Sequence, residues 1–144
     1  MRIDGEWLQC ADAVVRPVIR GEVLNAEGVW KPIEFLVDTG ADCTAFSAAV
    51  LDVLGFQSVK GHKQLGGVGG MADCVEVVTQ IRLARDDGGK AVFRGRYAAF
   101  TRLESLDMGV LGRDIMQMLA VIVDRPAGVV ALVRPNHRYR IQSA

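Results

Sequence analysis

The chain has 144 residues, enough for one domain with one core, and half of them are hydrophobic. Its 17 Lys and Arg balance its 17 Asp and Glu, which excludes the basic surplus expected of a nucleic-acid or anionic-membrane binder. The apolar runs are short, so no segment reaches the length of a bilayer-spanning helix.

The opening residues, Met1-Arg2-Ile3-Asp4-Gly5-Glu6, lack the basic and then apolar blocks of a secretory signal. The three cysteines, Cys10, Cys43 and Cys74, are an odd number at no metal-like spacing. Reduced thiols and a cytoplasmic location are therefore expected. Val14 to Leu24 predicts a strand, Asn25-Ala26-Glu27-Gly28 a turn, and Val29 to Val37 a second strand. Ser47 to Leu54 predicts a short helix with Val50, Leu51 and Leu54 on one side. From Val75 onward the period is two. Val75, Val77, Thr79, Ile81 and Leu83 form one face, Glu76, Gln80 and Arg82 the other, and Val78 is the exception on the polar face. Asp86-Asp87-Gly88-Gly89 turns this strand into its hairpin partner, Val92 to Phe100. Arg113 to Leu119 predicts a second short helix with Ile115, Met116 and Leu119 apolar. Val121-Ile122-Val123 and Val129 to Val133 predict a closing hairpin around Asp124 to Gly128. Neither helix is long enough to stand alone, so both must pack on a sheet. The expected architecture is a mostly β single domain over residues 1–144 with one or two short helices.

Three constellations carry chemistry. In the first, the apolar strand Phe35-Leu36-Val37 runs straight into Asp38, Thr39 and Gly40. Taken alone, the triplet describes any strand ending in an exposed turn. It also has the parts of an acid-protease loop. That chemistry needs two carboxylates about 3 Å apart sharing one proton. Glycine permits the tight turn and a close backbone approach, and a threonine hydroxyl can lock the loop onto backbone. The second constellation is Gly66-Gly67-Val68-Gly69-Gly70, either a flexible hairpin turn or the tip of a mobile lid. The third is Leu111-Gly112-Arg113-Asp114, in which Arg113 is either solvated or paired with Asp42 to brace the loop.

In this order, the three segments resemble retropepsins, the retroviral-type aspartic proteases with cellular and bacterial relatives. The resemblance runs from about Ile33 to Leu119. It implies a closed β-barrel of the acid-protease type, a homodimer, and hydrolysis of peptide bonds without metal or cofactor. It implies catalytic roles for Asp38, Thr39 and Gly40, with Thr39 bonding across the dimer. Ala41, Asp42, Gly66, Gly67, Val68, Gly69 and Gly70 would contact a peptide or protein substrate, and Asp42 and Arg113 would form a structural pair. Only one Asp-Thr-Gly occurs, so the second acid must come from another copy. Val68 and Ile115 are candidates to fill subsites. The alternative function is a silent module of the same fold that binds a peptide or dimerises without cleaving.

The remaining polar residues suggest nothing stronger. His62 and His137 are far apart and near no cysteine, which argues against zinc. Cys43, five residues after Asp38, has no nearby basic partner and reads as a small buried side chain. Cys74, just past the glycine run, is the candidate for exposure. The glycine run is followed by no Gly-Lys-Ser/Thr and is not a phosphate loop.

Overall fold

The computed structural model describes residues 1–56, 62–67, 70–102, 108–134, 140 and 142. Among them are eleven strands and two short helices: β1 (Arg2–Asp4), β2 (Glu6–Gln9), β3 (Val15–Leu24), β4 (Trp30–Val37), β5 (Ala45–Phe46), α1 (Ala48–Leu54), β6 (His62–Gly67), β7 (Gly70–Ala84), β8 (Lys90–Phe100), β9 (Gly109–Leu111), α2 (Arg113–Met116), β10 (Ala120–Asp124) and β11 (Val129–Val133). The chain is thus mostly β. None of the described helices is long and apolar enough to cross a membrane.

Local chemistry sets the turns. Between β3 and β4, the Asn25 side-chain oxygen accepts from the backbone N–H groups of Glu27 at 3.0 Å and Val29 at 2.8 Å. Gly28 there holds φ +79°, a conformation that costs glycine least. Helix α1 starts where the Ser47 hydroxyl accepts from the Val50 N–H at 3.2 Å and ends at Gly55 in the left-handed region. Its buried residues are Val50 and Leu54.

The strands form two sheets. One has the order β1-β11-β10, and the other β2-β3-β4-β9-β5-β8-β7-β6, in which β3 also pairs with β7. All pairings are antiparallel except β4 with β9 and β5 with β8. The β3–β7 seam carries a forked ion pair. Arg82 donates to both carboxylate oxygens of Glu22, at 2.6 and 2.9 Å, and its guanidinium lies 4.2 Å from the centre of the Trp30 ring. Hydrogen bonding from Arg82 is the main cause that lowers the Glu22 pKa.

Inner faces of both sheets supply the core. Phe35, Phe46, Ile19, Ile81, Leu83, Leu111 and Leu132 are its largest fully buried members, together with Ile3 from β1. The Phe46 ring meets Tyr97 edge-on at 5.9 Å and Phe35 at 6.3 Å, a favourable geometry for aromatic pairs. Ile115 is 2% exposed within this core, so it is not free to fill a subsite as its sequence position suggested. The two thiol expectations are reversed. Cys43 is exposed and Cys74 is buried. At Cys43 the backbone, packed against Gly112, is what the fold buries. Cys74 lies within β7 with Phe100 of β8 as its register partner.

Candidate active site

Strand β4 delivers Asp38 to the start of a tight loop. The Asp38 N–H donates to the Leu111 carbonyl at 3.2 Å, which ties the loop to the end of β9. One Asp38 carboxylate oxygen accepts from the Gly40 N–H at 2.9 Å, and the Asp38 carbonyl accepts from the Ala41 N–H at 3.2 Å. The loop therefore curls around its own acid. A Cβ at Gly40 would stand 3.2 Å from an Asp38 carboxylate oxygen, so a side chain there would crowd the acid. Asp38 and Ala41 are half-buried, while Thr39, Gly40, Asp42 and Cys43 are exposed.

The other side of the loop is held by the start of α2. The Arg113 N–H donates to the Ala41 carbonyl at 2.9 Å, and the Asp114 N–H to the Asp42 carbonyl at 3.2 Å. The Arg113 guanidinium pairs with the Asp42 carboxylate. Both of these side chains are more than half exposed, and such a pair is worth only about 0–1 kcal/mol.

The deeper brace is one that the motifs did not single out. Thr44 is fully buried. Its hydroxyl donates to an Asp114 carboxylate oxygen at 2.7 Å and accepts from the Gly112 N–H at 3.0 Å. Its backbone N–H donates to the same carboxylate, with both oxygens at 3.0 Å, and one of them also accepts from the Ile115 N–H at 2.9 Å. Gly112 fits because it lacks a side chain. A Cβ there would lie 2.4 Å from the Cys43 carbonyl carbon, closer than any real contact. Nearby Tyr97 donates to the Phe93 carbonyl at 3.0 Å. Burial, and then the charge of Asp114, pushes its hydroxyl up to about 12.

Of the glycine-rich segment, Gly66 and Gly67 end β6 and Gly70 opens β7. Gly67 pairs with Gly70 across the hairpin, and Gly66 with Met71. Val68 and Gly69 lie outside the described residues, as does His137. Among the described residues, no three His, Cys, Asp or Glu side chains gather as a metal site.

A strand-borne Asp-Thr-Gly loop clamped by a following strand and helix defines the acid-protease class. The chain belongs to the aspartyl protease family, whose sequence profile matches residues 20–115, from β3 through the first turn of α2. A retropepsin-like aspartic protease from Rickettsia conorii has the same fold. It is 19% identical, and the alignment covers 92% of this chain and 88% of that one with a TM-score of 0.57. The EIAV protease, solved in complex with the inhibitor HBY-793, is 26% identical over 71% of this chain and 86% of its own, with a TM-score of 0.48. No curated protein matches the chain.

Proposed function

We propose that the chain is an aspartic endopeptidase whose catalytic pair consists of Asp38 from each of two copies. The observation that carries this reading is the Asp38 loop: a single acid per chain, half-buried and held from two sides, beside an exposed Thr39-Gly40 edge. In the pair, the ionised carboxylate takes a proton from water as the water oxygen bonds to the peptide carbonyl carbon. The protonated carboxylate gives its proton to the carbonyl oxygen, and the two acids exchange roles through the shared proton. As the tetrahedral carbon collapses, the carboxyl that took water's proton gives it to the leaving nitrogen, the other carboxylate takes back the hydroxyl proton, and the C–N bond breaks.

In this reading Thr39 bonds across the dimer, Asp42 and Arg113 support the loop, and Ala41, Asp42 and the Gly66 to Gly70 segment hold an extended substrate. A closed barrel is part of it, supported by the run of pairings β3–β4–β9–β5–β8–β7–β3. A cytoplasmic location belongs to the same reading and is supported by the odd number and scattered spacing of the three cysteines.

The test is cleavage of a complex peptide library by the parent chain and by Asp38→Asn, from about pH 3 to pH 7, with sedimentation to establish the dimer. We expect cuts by the parent, and a rate lowered at least about 100-fold in the variant. A confirmed dimer that makes no cuts at any pH would replace this reading with the silent binding module.

A further inference from the structure

Val78 breaks the alternation of β7, and the fold leaves it out in solvent. At 67% exposure it is the most exposed of the large apolar side chains among the described residues. It stands beside a surface hollow of about 500 Å³, whose lining includes Leu24, Ala26 and Phe56 with Arg94 and Arg96. The wall is fixed, because the Ala26 N–H donates to the Leu54 carbonyl at the end of α1 at 3.0 Å. Arg96 is the cross-strand partner of Val78, and Arg94 is the partner of Gln80 two pairs further along, on the same face. Both arginines are exposed.

Among the described residues, their charges are only weakly answered. Arg94 donates to the Gln80 amide oxygen at 3.2 Å, a neutral partner. Arg96 reaches a Glu76 carboxylate oxygen at 3.4 Å and is itself 75% exposed. The hollow therefore combines an apolar floor with two guanidinium groups that have donors to spare. Each guanidinium presents five N–H donors in a fork that matches a carboxylate.

We propose that this hollow docks an extended peptide segment in which a large apolar side chain is flanked by carboxylates, presented by a protein partner. The apolar side chain sits on Val78 and Phe56, and the carboxylates meet Arg94 and Arg96. Two arginines and an apolar floor suit such a segment better than a nucleic-acid backbone, which needs an extended basic track. None of its lining residues belongs to the Asp38 loop or to the Gly66 to Gly70 segment. Val78 lies eight residues along β7 from Gly70, about 26 Å at the rise of a strand. Docking requires no cleavage and is tested without it.

The probe is a fluorescein-labelled peptide containing Glu-Asp-Phe-Leu-Asp-Glu, titrated by anisotropy with the full chain carrying Asp38→Asn. We expect saturable binding that weakens as salt rises from about 0.05 to about 0.5 M. The Arg94→Glu, Arg96→Glu double variant should bind about tenfold or more weakly. Val78→Ser, and a peptide with Ser-Ser for Phe-Leu, should each bind several-fold more weakly. Thermal melts establish that the variants are folded, as exposed strand positions predict. The proposal is overturned by lack of saturation up to about 1 mM or by variants that bind like the parent. Equal competition from a Lys-Arg-Phe-Leu-Lys-Arg peptide, or from a uridine decamer, would also overturn it.

Discussion

Thr44 and Asp114 are 70 residues apart, yet one hydroxyl and one carboxylate join the acid-bearing loop to α2. Thr44→Val keeps the shape and removes the hydroxyl, leaving the Gly112 N–H without its acceptor in a buried place. Urea unfolding should show a loss of about 1–3 kcal/mol, which Thr44→Ser largely restores. A Val variant as stable as the parent would mean the hydroxyl contributes nothing. This brace was not legible in the motif, because Leu-Gly-Arg-Asp draws attention to the arginine. The available signal was Thr44 itself, a hydroxyl beside the apolar Ala45 and Phe46, since a buried hydroxyl needs a partner. The Cys43 and Cys74 expectations failed for a related reason. Spacing from Asp38 says nothing about which way a thiol points. Tyr97 adds a pH dependence. Its pKa is raised above the unfolded value, so its contribution is whole below about pH 10 and is lost as pH rises towards about 12. Measured across that window, stability should fall more steeply for the parent than for Tyr97→Phe.

The elements legible in sequence were those with a strong local pattern. β3, β4, β7, β8 and the β10–β11 hairpin all lie where alternation and turn residues put them, with ends shifted by a few residues. β7 starts earlier than Val75 because pairing with β6 continues to Gly70. α2 stops at Met116, short of Leu119, because the chain leaves the helix to enter β10. The short elements β1, β2, β5 and β9 have two to four residues each, too few to show a period. They exist because long-range partners supply their hydrogen bonds, as in the parallel pairing of β9 with β4. The β9–α2 junction is the tightest of these joins. Gly112→Ala forces a methyl group into the Cys43–Thr44 backbone, which cannot swing aside as a flexible side chain would. Unfolding should show a loss of about 1–3 kcal/mol or more. A variant as stable as the parent would show that the two backbones part without cost.

Across the whole molecule, the first strand closes on the last. β1 pairs with β11, placing Arg2 opposite Val133 and Ile3 opposite Leu132, and the Arg2 N–H donates to the Asp86 side chain at the β7–β8 turn at 2.9 Å. Ile3 is 1% exposed and belongs to the common core. Ile3→Ala should therefore destabilise the entire fold by about 2–5 kcal/mol, seen as one cooperative transition at lower denaturant. A separate early transition would instead mark the three-stranded sheet as an independent unit. The same closure orders events during synthesis. A ribosome adding about 5–20 residues per second needs roughly 7–26 s to travel from Arg2 to Val133. For that interval β1 has no partner strand, and Ile3 must wait outside a core that only the last strand completes.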